Sequence, residues 1–422
     1  MIEVVIALVA GICAGVFAGL TPGVPIMMGF MLFLPMISAD AFCLSLYGVV
    51  MTLGTQFFGS QAVLYYRIPG ETSSFPTLIE SKNFTTPEQL RYTIQVTTWG
   101  SLVATIIALA VLSIALTSGA LDWVRLSIEF RGVVFALLLG MCVFGNSQRL
   151  SNIVILGLAS FFAFYEDIAP LTGFMPTYYF NSMLSLIIIF AMQLVWNSSD
   201  RVKTYSVGTH STFNLSQWLP FYAKYGSIGT IFGLVPQLGA TFSSYLTYSW
   251  LKKNNASSTH RVAGAETANN GAIVFQWFPL FMFGIPITGS EIMLVSHFNQ
   301  LGLDFSFLKD WTQVAWLAGL IALAGLIYTR ICLTTNQLLY KVVGRALSSR
   351  YLTIAIAFGS MYLFYWVGNY TAKFMLIHLM IFIPVSWIVA KLKVNLLAVT
   401  IGMILMSEIL LTFYQLLQIH IL

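Results

Sequence analysis

Gly19-Leu-Thr-Pro-Gly23 and Gly233-Leu-Val-Pro-Gln237 are one interruption met twice, 214 residues apart (233 minus 19), each inside an apolar run. A second pair follows in the same order. Ile68-Pro-Gly-Glu-Thr-Ser-Ser74 has a looser counterpart in Ile285-Pro-Ile-Thr-Gly-Ser-Glu291, offset by 217 (285 minus 68). Two motifs in one order at nearly one offset divide the chain into related halves, 1–200 and 218–422, with a polar cytoplasmic linker, 201–217, between them. Pro lacks an N–H and Gly loosens the helix, so each break frees backbone groups that hydrocarbon cannot satisfy. Such breaks persist in a membrane only where they are buried in protein or line a wet cavity.

The surroundings of these breaks are membrane-like along the whole chain. Charged residues make up 8% of the 422 and hydrophobic residues 58%, against about 25% and roughly 45–50% in soluble domains. Mean hydropathy is +0.83. Apolar runs such as Leu102 to Leu116, Leu184 to Val195 and Leu396 to Met406 recur throughout. At about 20 residues per crossing, the length accommodates roughly ten to twelve spans and no separate soluble domain. The expected fold is all-α: a polytopic membrane protein of two inverted-topology repeats with re-entrant hairpins and broken transmembrane helices. The net charge of +5 comes from Lys and Arg scattered over short loops, which excludes a nucleic-acid stripe and suits topology determinants. Cys13, Cys43, Cys142 and Cys332 lie in apolar surroundings without a C-x-x-C pair, so neither a disulfide framework nor a zinc site is expected. Met1-Ile-Glu-Val-Val carries no basic n-region, and no cleaved signal peptide is expected.

Loop charge orients the halves. Lys252 to Arg261, after the break at Pro236, is basic; its first-half equivalent, Ser38-Ala-Asp40, has no Lys or Arg. The next loop reverses the bias, with Lys82 and Arg91 in the first half against Asp304, Lys309 and Asp310 in the second. If basic loops face the cytoplasm, the halves are inverted, the plan common among secondary transporters. From an outside N-terminus, Arg149, Arg201/Lys203, Arg330/Lys341/Arg345/Arg350 and Lys391/Lys393 all fall inside. Leu121 to Arg131 and Thr334 to Ser349 are too polar to span and are expected to be interfacial connectors.

Around the first pair of breaks, Thr21, Pro22, Gly23, Pro236, Gly239 and Thr241 mark hairpin tips whose following half-helices expose unpaired N–H groups, a ready anion site. An inert kink repacked by neighbouring helices is the competing reading. Gly70, Thr72, Ser73, Ser74, Pro286, Thr288, Gly289 and Ser290 offer hydroxyls and loosened backbone suited to oxygens of a substrate or to Na⁺. Asn269 and Asn270 place amides in an apolar helix, as substrate contacts or as interhelical hydrogen bonds. Arg67, Glu266 and Glu291 are candidates for charge pairing or for carrying a coupling Na⁺ or H⁺; Arg67 also reads as a span-end residue and Glu291 as a helix-terminal carboxylate. Glu166-Asp167 reads as a solvated span end, and His297 as an interfacial residue. There is no G-x-x-x-x-G-K-[ST] loop and no H-E-x-x-H, and the five histidines are isolated, so no catalytic residue and no resident metal are expected.

At these residues the sequence resembles the large membrane subunit of the tripartite tricarboxylate transporters, the TctA family. The family pattern of G-x-x-P-G, I-P-G, G-x-x-P-G-x-G-a with a basic loop, E-a-x-N-N-a and G-I-P-G is matched in order by Gly19 to Gly23, Ile68 to Gly70, Gly233 to Ala240, Glu266 to Gly271 and Gly284 to Pro286. Asp167 sits in a more weakly similar stretch, Gly157 to Gly173. Pro25, Gln237 and Ile287 stand where the family usually has Gly, and Arg67 and Glu291 are not family features. The resemblance implies a permease of a bacterial inner membrane importing a di- or tricarboxylate on an ion gradient. It also implies a periplasmic substrate-binding protein and a small membrane subunit as partners. The residues alone leave open a passive anion channel and a membrane-embedded enzyme acting on a lipid-linked substrate. The latter predicts an Asp, Glu or His cluster on one interfacial loop, which the longest loops lack.

Overall fold

The computed structural model describes residues 2–20, 26, 29–30, 34–37, 39–66, 72–117, 133, 136, 139–140, 149–163, 184–185, 188–189, 192, 213–235, 239–334, 358–359, 362, 372–392, 394, 399, 402–403, 406 and 409–410. Every regular element among them is helical. The helices are α1 (Ile2–Leu20), α2 (Ala41–Tyr66), α3 (Phe75–Ser81), α4 (Pro87–Thr117), α5 (Arg149–Ala163), α6 (Leu215–Phe232), α7 (Gly239–Lys253), α8 (Ser258–Phe275), α9 (Trp277–Phe283), α10 (Gly289–Leu301), α11 (Trp311–Thr334) and α12 (Ala372–Lys391). Of these, α1, α2, α4, α11 and α12 are long and apolar enough to cross a membrane. The expected connectors fall outside the described residues apart from Thr334, as do Glu166 and Asp167.

The chain divides into two compact units: Met1–Ala120 with Asp200–Ser349, and Leu121–Ser199 with Arg350–Leu422. Each sequence-related half therefore contributes one segment to each unit. In the second unit, Phe162 of α5 meets Phe382 of α12 with ring centroids 5.8 Å apart, and Gly402 leaves room for Ala159. α6 begins at Leu215, where Asn214 caps it by accepting from the Ser216 amide.

The first unit is built around α2, which is buried along nearly its whole length. α1 lies parallel to it on a stripe of small residues. A Cβ at Gly15 would sit 2.8 Å from the Met51 carbonyl oxygen and 2.9 Å from Gly54 Cα, and one at Gly19 would sit 2.7 Å from Phe58 Cβ. Lipid offers no hydrophobic drive between apolar helices, so close backbone approach over small residues supplies the packing instead. Tyr328 of α11, fully buried, seals this contact; its hydroxyl donates to the Val50 carbonyl at 2.9 Å. After α1 the chain reverses. By Gly29 it is back beside Ala14 and Ala18, and Tyr47 donates to the Phe30 carbonyl at 2.6 Å, so α2 starts at the end where α1 started.

α6 and α7 form the corresponding hairpin in the second half. Phe232 meets Phe242 near its tip, at 5.0 Å between centroids, and Tyr225 meets Trp250 farther out, at 6.0 Å. Both of its outer ends lie at the end of the unit opposite the start of α1. There Trp218 donates to Tyr92, Asn83 donates to Ser258, Thr93 pairs with Thr259, and Arg91 donates to the Leu333 carbonyl. Lys82, Arg91, Lys252, Lys253, Arg261 and Arg330 gather at this end. The other end carries Asp40, Asp304, Lys309 and Asp310, brought together where Phe42 meets Phe307. Asp310 caps α11 there by accepting from the Thr312 hydroxyl and amide, which holds its carboxyl below the usual range.

Candidate functional site

Most buried hydroxyls in this unit are already accounted for within their own helices. Thr52 and Thr55 on α2, and Thr97, Thr98, Ser101 and Thr105 on α4, donate to carbonyls four residues back at 2.7 to 3.0 Å. Such back-bonding lets a hydroxyl sit among apolar side chains without penalty. Amides and carboxylates have more groups than one turn can satisfy, and they must find partners across helices.

They do so in one layer. Asn269 of α8 donates to Gln56 of α2 at 2.9 Å. Asn270 donates to Ser101 of α4 at 3.0 Å and to the Glu266 carbonyl at 2.9 Å. Gln61 donates to Thr98 at 2.9 Å. Thr77 of α3 donates to the Glu266 carboxylate. Ser244 of α7 donates to the Ser73 carbonyl at 2.8 Å, and Ser243 to the Ala268 carbonyl at 3.3 Å. Glu266, Asn270 and Thr77 are wholly buried, and Gln56 is the most exposed member of the amide and carboxylate set at 4%.

α1 and α6 both end at this level. Gly19 lies against Thr55 to Gly59, on either side of Gln56, and Gly229 and Gly233 lie against the carbonyls of Ala268 and Ala272, which bracket Asn269 and Asn270. A Cβ at Gly229 would fall 2.0 Å from the Ala268 oxygen and one at Gly271 2.6 Å from the Gly226 oxygen, so α6 and α8 touch backbone to backbone. The second break of the first half arrives from the side: a 3-10 turn, Thr72–Ser74, places Ser73 beside α7.

Of the residues singled out from sequence, Ser73, Asn269, Asn270 and Glu266 meet in this layer, with Ser74 buried next to Ser73. Gly239 opens α7 tightly against the Phe232 carbonyl, where a Cβ would fall 2.3 Å from its oxygen, and Thr241 follows half-buried. Thr72 is placed by its backbone in the turn. Thr21, Pro22, Gly23, Arg67, Gly70 and Pro236 lie outside the described residues. Pro286, Thr288, Gly289, Ser290 and Glu291 form a separate feature at the start of α10. Thr288 caps the helix and Glu291 closes the capping box, its Oε2 accepting from the Ile287 amide at 2.7 Å and the Thr288 amide at 3.2 Å. Glu291 is fully buried, and its Oε1 meets no partner among the described residues. His297, part-buried on α10, lies toward the acidic end of the unit.

Sequence reading missed Gln56, Gln61, Thr77, Thr98, Ser101, Ser243 and Ser244. The two glutamines left a signal: they are the largest polar side chains in the otherwise apolar α2. The hydroxyls on α4 left only a weak one, a stripe of Thr93, Thr97, Ser101 and Thr105 spaced by four residues, and Thr77, Ser243 and Ser244 left none.

Outside the layer, a charged clamp fastens α3. Glu80, 2% exposed, accepts from Arg261 and Tyr248 at 3.0 Å and from Asn83 at 2.8 Å. It ties the end of α3 to α7 and α8 beside the layer.

A run of five ordered motifs and a buried amide layer lie in one apolar chain, and one family model spans them all. The model of the tripartite tricarboxylate transporter TctA family matches residues 5–410. The chain belongs to the TctA family. It is therefore a membrane protein and a component of a tripartite tricarboxylate transporter. No curated protein and no solved structure matches it. Within the matched span, Glu266, Asn269 and Asn270 form the core of the buried layer, and the stretch Gly233 to Ala240 includes the end of α6 and the start of α7.

Proposed function

We propose that this TctA-family protein is an ion-coupled secondary transporter permease that imports a small organic anion, a di- or tricarboxylate. Its place is the bacterial inner (cytoplasmic) membrane, as a multi-pass protein. It acts with a periplasmic substrate-binding protein, which delivers the anion, and with a small membrane subunit. The observation that carries the proposal is the buried layer itself, with a wholly buried carboxylate, Glu266, on the same helix as Asn269 and Asn270 at the level where α1 and α6 end. A carboxylate in a membrane interior is costly and, where charged, repels an organic anion. A bound Na⁺ or H⁺ removes both penalties, so the same group that makes the site hostile to an anion alone makes it receptive to an anion with its coupling cation. Hydroxyls and half-helix starts around Ser73, Ser74 and Gly239 supply neutral donors for carboxylate oxygens.

The inverted plan has support in the geometry of the first unit. One hairpin enters from the acidic end and the other from the basic end; α3 runs from its break toward the basic end, whereas α10 runs from its break toward the acidic loop before α11. If the basic end is cytoplasmic, both hairpins are re-entrant from opposite faces. Cysteines substituted at Lys82 and at Ser257 are then expected to react with a membrane-impermeant maleimide only from the cytoplasmic side, and one at Asp40 only from outside. Labelling of all three from a single side would defeat the scheme. A panel of di- and tricarboxylates offered to reconstituted protein, with and without binding protein and small subunit, tests the substrate class. Uptake of at least one carboxylate that depends on the binding protein is expected; no uptake of any would overturn the proposal.

A further inference from the structure

We infer that Arg261, at the basic end of the first unit, is a binding residue for a carboxylate of the transported anion, and that Glu80 is its stand-in partner while α3 is seated. The inference rests on the permease reading above and adds a substrate contact outside the amide layer. α3, seven residues long, is fastened at both ends. At the layer Ser244 donates to the Ser73 carbonyl, just before the helix, and Thr77 donates to the Glu266 carboxylate; at the basic end Glu80 pairs with Arg261 at 3.0 Å. α3 and α8 therefore run antiparallel, and Arg261, five residues before Glu266, lies about 7.5 Å nearer the basic end at 1.5 Å per residue. An anion leaving the layer along this seam toward the basic end passes Arg261.

The pair is unequal. Glu80 accepts from Tyr248 at 3.0 Å and from Asn83 at 2.8 Å as well as from Arg261, and Asn83 follows it three residues later in the same stretch of chain. Arg261, with five N–H groups to place, meets one acceptor among the described residues, Glu80 Oε1, and meets it through Nη1. Its Nε is buried and finds no acceptor there. Nε and Nη2 form the edge of a guanidinium that grips a carboxylate by two parallel bonds, and Glu80 uses neither atom. Arg261 also lies in the first turn of α8, where the helix dipole favours an anion, and Lys82, Lys252 and Lys253 gather at the same end. Because Nε is buried, a carboxylate reaches that edge when α3 shifts off α8. Glu80 then keeps Asn83, which travels with it, and the anion's carboxylate replaces it on Arg261. The Arg261 side chain is already 21% exposed against 2% for Glu80, so the site opens toward the basic face.

The full-length protein in lipid nanodiscs provides the test, with thermal unfolding followed by tryptophan fluorescence at constant ionic strength while chloride is replaced by succinate, citrate or inorganic phosphate. A saturable rise in unfolding temperature with succinate or citrate, absent in chloride and in phosphate, is expected. Arg261→Lys keeps the charge and the pairing with Glu80 but loses the two-bond edge, and it should raise the half-saturating concentration roughly tenfold. Glu80→Gln removes the competing carboxylate and should lower it. A clamp that only fastens α3 predicts otherwise: both variants would unfold at lower temperature and neither would shift the half-saturating concentration. That outcome overturns the site, as does a rise of equal size in both variants. Identical unfolding in chloride and in both carboxylates overturns it without any variant having to fold, and a response to phosphate equal to that for the carboxylates overturns the assignment to the substrate. Carboxylate uptake whose KM is the same in Arg261→Lys removes the site and leaves the permease. Stabilisation by a carboxylate that Arg261→Lys weakens, without uptake of any carboxylate, keeps the site and removes the permease.

Discussion

Glu266→Gln is expected to leave the protein folded and inserted but to lower the initial rate of carboxylate uptake by about 10- to 100-fold, the scale of losing a charged partner worth roughly 1.5–3 kcal/mol. The substitution preserves shape, and a glutamine oxygen can still accept from Thr77, so the helices have no reason to separate. What disappears is the negative charge at the level of Asn269 and Asn270. Initial rates at saturating and limiting Na⁺ or H⁺, normalised to the amount of protein in the liposome, check the expectation. A normal rate in this variant would mean that the charge of Glu266 has no part in transport and that its role is structural.

Gly229→Val should have the opposite signature: loss of folded protein rather than loss of rate. A Cβ at this position would meet the Ala268 oxygen at 2.0 Å and the Ala268 carbonyl carbon at 2.7 Å. Those are backbone atoms of α8, and no side chain can swing aside to relieve the contact. Overpacking costs about 1–3 kcal/mol in forgiving cores, and a backbone neighbour puts this site at or beyond the upper end. The α6–α7 hairpin would be prised from the helix carrying Asn269 and Asn270. Gly319→Val is the control, because nothing lies within 4 Å of a Cβ there. Detergent-solubilised size-exclusion profiles should show aggregation for Gly229→Val and a normal peak for Gly319→Val; a monodisperse Gly229→Val would contradict the close packing of α6 on α8.

Much of this architecture was legible because its signals are local in sequence. Thr-Pro-Gly at 21–23 and Val-Pro-Gln at 235–237 break apolar runs whatever the fold around them, and the basic loop 252–261 against the unbasic Ser38 to Asp40 announces opposite ends. Asn269, Asn270 and Glu266 stood out because amides and carboxylates are scarce in apolar helices. The layer's other half was not legible. Gln61 matters through the bond that Thr98 is left unable to donate, and that depends on a carbonyl four residues away and on two helices meeting 37 positions apart in sequence. Thr77 resembles any threonine at a helix start until α3 folds against α8. Glu291 drew attention as an ionisable residue beside a break, and its contacts are those of a helix cap, a local role that its spacing from Thr288 encodes.

The two compact units also cut across the sequence repeat. α1 and α6 share the first unit because the break-bearing portion of each half lies before residue 121 or between 200 and 349. Compactness records which segments bury each other's apolar faces.

The central claim, that movement of the anion is tied to a cation, is tested most directly by uptake into proteoliposomes holding the chain with its small subunit and binding protein. With an inward Na⁺ or H⁺ gradient imposed, the labelled carboxylate should accumulate above its external concentration and drain when the gradient is collapsed. Flux that only equilibrates, at the same rate with and without either gradient, would contradict it.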